Sequence, residues 1–208
     1  MQRRQKLIWT TAAFGLCWVL TVVLGVRALL NYENAPGTVA AVPKAWPASH
    51  VPLATDRATL VMLAHPHCPC TRASIGELAQ IMAKVQGKAT AYVLFSKPGE
   101  AGSDWDNTRL RRSAAAIPGV TVLSDPEGTE ARRFGAETSG HTLLFAADGR
   151  LLFNGGITQS RGHAGDNAGE SAIVSLVHNR TPERDKTLVF GCALPRDDQT
   201  ASATLVSK

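Results

Sequence analysis

No charged residue occurs between Leu7 and Val26, a run of 20 residues that reads LIWTTAAFGLCWVLTVVLGV. About 20 apolar residues, each rising about 1.5 Å, cross the hydrocarbon core of a bilayer, so the run predicts a transmembrane helix. A cleaved signal peptide has a shorter apolar region, of about 7–15 residues, and ends in a small-residue cleavage site. This run ends in VRALLNYEN, which holds no good A-x-A site. An uncleaved anchor is therefore favoured over a signal peptide, and both over a buried soluble helix. Arg3, Arg4 and Lys6 precede the span. The positive-inside rule then keeps the N-terminus in the cytoplasm and exports the chain beyond residue 30. The expected location is the cytoplasmic (inner) membrane, single-pass, with the C-terminal domain in the periplasm or outside. The lipid bilayer is then a partner through the N-terminal helix.

A strongly basic surface is absent too. The formal net charge is +5, but four basic residues and no acidic one lie in the first thirty, which leaves +1 for the rest. The charge is thus a topology signal, and nucleic acid is not an expected partner. RLRR at 109–112 is the one dense basic cluster beyond the anchor, and it reads as a solvated helix face. The glycine-rich GGITQSRGHAGDNAG contains neither G-x-G-x-x-G between a strand and a helix nor G-K-[ST], so a phosphate-binding loop is poorly supported.

Cysteine is scarce and odd in number where it matters. Cys17 lies within the apolar run, leaving Cys68, Cys70 and Cys192 in an exported, oxidising compartment. Three thiols cannot form a closed disulfide framework; at least one stays free, binds metal or exchanges partners. Two of them stand one residue apart in HPHCPCTRAS, residues 65–74.

The remaining pattern alternates strand and helix. A segment with prolines at 36, 43, 47 and 52 reads as an extended tether. TLVMLA (59–64) is a buried strand, and 71–87 is an amphipathic helix capped by Thr71 or by Ser74 with Glu77. ATAYVLF (89–95) is a strand, 103–117 a helix opened by Ser103 or Asp104, VTVLS (120–124) a strand, and 130–136 a short helix. A hairpin over 142–156 turns at Asp148-Gly149, a strong hairpin signal. Asp166 and Asn167 read as caps of a helix over 168–180, and TLVFG (187–191) is a candidate last strand. The expectation is an α/β fold, a mixed sheet with helices on both faces. The expected division is 1–30 for the basic N-terminus and anchor, 31–56 for the tether, 57–195 for the domain and 196–208 for a polar tail.

A cysteine pair between a strand and a helix in such a pattern reads as redox-active, because a helix N-terminus stabilises thiolate, the nucleophilic form. Cys70 is best placed for this. In an extended segment, residues i and i+2 are about 6–7 Å apart, near the long limit of about 6.8 Å for a disulfide. A Cys68–Cys70 bond would then be strained and readily reduced. Cys192 offers another route, as the thiol that resolves a mixed disulfide or as the partner in a static bond.

With HPHCPCTRAS after a strand, SGHTLLF opening the hairpin, GGITQSRGHAGDNAG after it and FGCALP near the end, residues 57–195 resemble the thioredoxin-like superfamily. Among its members they resemble the RedB-type membrane-anchored thiol-disulfide proteins. The resemblance implies a thioredoxin-like mixed sheet and thiol-disulfide oxidoreductase activity without a cofactor. It departs from the superfamily in two places. His67 stands at the first thiol position of C-x-x-C, and Gly140-His141-Thr142 stands where a cis-proline normally faces the dithiol. The candidate catalytic residues are Cys68, Cys70 and Cys192, with His67 and His141 as thiolate stabilisers or proton shuttles. By analogy with the fold family, the expected partners are a protein thiol or disulfide client, such as an apocytochrome or an oxidase subunit, and a membrane redox partner.

The alternative is a metal-delivery module. His65, His67, Cys68 and Cys70 are four soft or borderline ligands within six residues, a set that suits Cu(I) or Zn. In a thioredoxin-like sheet His141 and His163 lie on loops that approach the same place. Copper-delivery proteins of the Sco type use this fold, although their C-x-x-x-C spacing is absent here.

Overall fold

The computed structural model of the chain describes residues 2–195; the polar tail expected at 196–208 lies outside the described residues. Two compact units are present, residues 1–35 and residues 36 onward. The first holds α1 (Gln2–Glu33), 32 residues with none buried. Its mean hydropathy reaches 2.1 over an 18-residue window, so by length and composition it can cross a membrane.

The second unit is built on a five-stranded mixed sheet in the order β3-β2-β1-β4-β5. The central strand β1 (Ala58–Ala64) pairs in parallel with β2 (Ala89–Lys97), and β2 in parallel with β3 (Val120–Pro126). On its other side β1 runs antiparallel to β4 (His141–Phe145), which turns into β5 (Leu151–Gly156). Gly149, at φ +84°, supplies the left-handed residue that this turn needs. The helices are α2 (Thr71–Val85), α3 (Arg109–Ala115), α4 (Thr129–Arg133) and α5 (Ala168–Val177).

Alternation along β1 divides the core between the two faces of the sheet. Leu60 and Met62 pack with Ile75, Leu78 and Ile81 of α2, Leu144 of β4 and Ile173 of α5. Val61 and Leu63 pack on the other face with Leu143, Phe145 and Phe134. This is the α/β architecture expected from the sequence, with β1 delivering the cysteine loop from the middle of the sheet.

Several local expectations are corrected. The proline-rich segment does not hang free. Val51 is 2% exposed, and Trp46 meets Phe134 and Phe145 edge-on at centroid distances of 5.3 and 5.0 Å. The prolines prevent regular structure there, but the apolar side chains between them still find the sheet face. TLVFG forms no strand; isolated bridges at Lys186 and Ala193 flank it, and Thr187 and Leu188 cross close over Gly155 and Gly156. The third helix starts at Arg109 because Thr108, not Ser103 or Asp104, caps it, accepting from Arg111 N–H at 3.3 Å. Asn167 does cap α5, accepting from Glu170 N–H at 2.8 Å.

Candidate functional site

Two turns carry the chain from β1 into α2. Cys68 N–H donates to the His65 carbonyl at 3.2 Å, and Thr71 N–H donates to the Cys68 carbonyl at 3.1 Å. Cys70 is the N-cap residue, already in the right-handed helical region at φ −66° and ψ −28°, and no side chain caps the helix. Thr71, expected as a cap, instead places Oγ1 2.8 Å from Ser139 Oγ, which ties the loop to the entry of β4. His65 N–H donates to the same Ser139 oxygen at 2.8 Å. Because the Cys68–Cys70 segment is turned, the extended-chain separation inferred from spacing does not apply to it.

The third thiol arrives from the far end of the domain. Residues 191–194 lie antiparallel to 137–139. Ser139 N–H donates to the Cys192 carbonyl and Leu194 N–H to the Glu137 carbonyl, each at 2.8 Å. Gly191 permits this close approach, since a Cβ there would overlap the Ser139 carbonyl oxygen. The result is that Cys68 Sγ lies 2.6 Å from Cys192 Sγ. That is closer than ordinary sulfur contact and beyond the roughly 2.05 Å of a disulfide. All three cysteines are unbonded, and the sulfurs of Cys68, Cys70 and Cys192 lie within 4.8 Å of one another.

The three thiols are electrostatically unequal. Burial opposes ionisation of Cys68, yet hydrogen bonds from the side chain and backbone of Cys192, and then from Thr71, hold its pKa below the ordinary thiol value. Burial raises Cys70, and the neighbouring charge of Cys68 raises it further. Cys192 is pushed up to about 12, by burial first and then by its hydrogen bond and proximity to Cys68. Cys68, not Cys70, is therefore the most readily ionised thiol of the set. The helix-end amide that matters belongs to Thr71, and an ionised Cys68 keeps its neighbours protonated.

The histidines do not join this cluster. Among the described residues, the ligand-type side chains that converge here are the three cysteines alone. His67 is exposed, with Nε2 2.9 Å from the Trp105 carbonyl. His65 receives His67 N–H at Nδ1, 3.1 Å away, and burial together with the charge of His67 lowers its pKa. His141 is fully buried, with Nε2 2.5 Å from Asn154 Oδ1 and no hydrogen-bond partner at Nδ1. Burial lowers its pKa as well. His163 is exposed, its Nδ1 2.8 Å from Ser160 Oγ.

The basic group that faces the thiols is Arg161, which sequence reasoning missed. Its guanidinium donates to the Gly191 carbonyl, beside Cys192, and its charge lowers the pKa of both Cys70 and Cys192. The loop that carries it is pinned to α2 by Glu77, 4% exposed, which accepts from Gly165 N–H at 2.7 Å and Asn167 Nδ2 at 3.1 Å.

No protein-family model matches the chain, and no curated protein matches it either. Solved structures do. A hypothetical protein from Sinorhizobium meliloti 1021 aligns with a TM-score of 0.58 at 18% identity, covering 78% of this chain and 94% of that one. An uncharacterised conserved protein from Geobacillus kaustophilus aligns at 0.56 and 20%, covering 77% and 92%. A weaker likeness, at 0.42 and 16%, is to a secreted Mycobacterium tuberculosis disulfide oxidoreductase homologous to E. coli DsbE, covering 65% and 93%. The class defined by fold and site is an α/β domain, a mixed five-stranded sheet flanked by helices. It is preceded by a long apolar helix and carries three converging cysteines.

Proposed function

We propose that the protein is a membrane-anchored thiol-disulfide oxidoreductase of the RedB type, in which Cys68 is the nucleophile and Cys192 the resolving thiol. The observation that carries this reading is the 2.6 Å approach of Cys192 Sγ to a Cys68 sulfur whose ionisation is favoured. In the reducing direction the Cys68 thiolate attacks one sulfur of a client disulfide, and the other client sulfur leaves as thiolate. Cys192 then gives up its proton and attacks the Cys68 sulfur, closing a Cys68–Cys192 disulfide and releasing the second client thiolate. The client gains two electrons and the protein loses two; the reverse sequence oxidises a client dithiol. Cys70 lies close enough to exchange into the same bond.

The anchor and the basic residues before it fit a domain held on the outer face of the cytoplasmic membrane, where disulfides persist. Clients made at the membrane, such as an apocytochrome or an oxidase subunit, and a membrane partner that recycles the dithiol suit that placement. No cofactor enters the chemistry. The test is alkylation of the reduced full chain at neutral pH. Cys68 labels first, and equally slow labelling of all three thiols would refute the mechanism.

A copper-binding module is the second reading, favoured by the three-sulfur cluster, since thiolates suit Cu(I). Two sulfurs on one ion, each at about 2.3 Å, stand roughly 3.8 Å or more apart. The shorter Cys68–Cys192 approach fits disulfide exchange better. Copper retained by the reduced chain and lost on oxidation would reverse that preference.

A further inference from the structure

A groove of about 680 Å³ opens beside Cys68 between the start of α2 and the start of α3. Its apolar wall is made by Pro66, Pro69, Ile75 and Leu110, and Arg72 and Arg109 stand in its lining. No acidic side chain lines it. The two arginines differ from their neighbours in α3. Arg111 is held by Asp106 at 2.6 Å, and Arg112 donates to Asn107 Oδ1 at 3.1 Å. Arg72 and Arg109 are exposed and, among the described residues, their guanidinium groups make no hydrogen bond or ion pair. Two uncompensated guanidinium groups over apolar surface, next to a thiol that is itself 1% exposed, form a recognition surface for carboxylates.

Resting on the oxidoreductase reading, we infer that the client is a polypeptide segment with acidic residues flanking its reactive cysteine. It lies in this groove with its carboxylates on Arg72 and Arg109 and its sulfur at Cys68. The chemistry is the exchange already described: client disulfide and protein dithiol give client dithiol and protein disulfide. The arginines select which disulfide arrives. Opposite charge across a cleft raises the encounter rate, and salt removes the gain.

The test uses the reduced full chain in neutral detergent and two synthetic peptides of equal length, each with one internal disulfide. One has glutamate on both sides of each cysteine, and the other has glutamine. Each exchange rate is divided by that of the same peptide with dithiothreitol, which removes the peptides' intrinsic difference. The glutamate peptide is expected to react about tenfold faster at low salt. That ratio falls towards one at high salt and in the Arg72→Gln/Arg109→Gln double variant, and it persists in Arg184→Gln, which removes a positive charge outside the groove. Equal normalised rates for the two peptides overturn the inference. If neither peptide exchanges, the oxidoreductase reading fails, and binding to the full-length Cys68→Ser variant decides the groove. An arginine-dependent preference for the glutamate peptide upholds the acidic client, and equal or absent binding overturns it.

Discussion

Cys68 and Cys192 are 124 positions apart in the chain, and their sulfurs meet at 2.6 Å. One comes from the loop that leaves the central strand. The other comes from a terminal segment laid against the entry to β4 and held there by the Ser139–Cys192 backbone bond.

Replacing each thiol separates the roles. Cys68→Ser abolishes exchange. Cys192→Ser leaves the nucleophile without its resolving partner, so a client mixed disulfide at Cys68 accumulates. Cys70→Ser retains turnover. Mass spectrometry of chain trapped with a disulfide peptide distinguishes the three; accumulation of the mixed disulfide in Cys70→Ser instead would reassign the resolving role.

The pH dependence of stability in the reduced chain has two limbs of opposite sign. Cys68 has a depressed folded pKa, so the unfolded chain binds more protons between that value and the ordinary 9.0. Its contribution is present above 9.0 and is lost as pH falls through the depressed value. Cys192 is raised to about 12, so the folded chain binds more protons between 9.0 and about 12. Its contribution is full below 9.0 and is lost as pH rises through that window. Urea unfolding under reducing conditions should therefore show stability falling above pH 9. Cys192→Ser flattens the alkaline limb, and an unchanged limb in that variant would contradict the assignment.

The loop carrying Cys192 depends on a residue without a side chain. Gly191→Ala sets a methyl group against the Ser139 carbonyl oxygen, which forces residues 191–194 away from 137–139 and Cys192 away from Cys68. Resolution is expected to slow at least tenfold while alkylation of Cys68 continues. Wild-type resolution kinetics in this variant would show that the close approach is not required.

The outline of this site was legible in the sequence and its wiring was not. The strand before HPHCPCTRAS and the helix after it could be read from local patterns, as could the Asp148-Gly149 turn. Local pattern does not pair Cys192 with Cys68, because the contact is made through Ser139 and Gly191, which carry no signal at that distance in sequence. Arg161 leaves no mark in the sequence for a related reason. A single arginine in a glycine-rich loop has no spacing to mark it, whereas the histidines drew attention by residue type. The sheet entry spends His141 on Asn154, and the loop spends His67 on the Trp105 carbonyl. TLVFG has the composition of a strand, but its neighbours at β5 are Gly155 and Gly156, and the segment crosses over them without forming a ladder.

Arg161 then becomes a prediction of its own. Its charge favours ionisation of Cys70 and Cys192, so Arg161→Gln should raise both and slow resolution by Cys192. The rate of disulfide closure, followed by rapid quench across pH, should shift to more alkaline pH in the variant. A profile superimposable on wild type would remove Arg161 from the site.

The central claim is that Cys68 and Cys192 form the working disulfide, and the most direct test is to equilibrate the full chain across a glutathione redox series, trap it with acid and map its disulfides. The account predicts one reversible two-electron transition that ends in a Cys68–Cys192 bond with Cys70 as a free thiol. A Cys68–Cys70 bond, or three thiols that never pair, would contradict it.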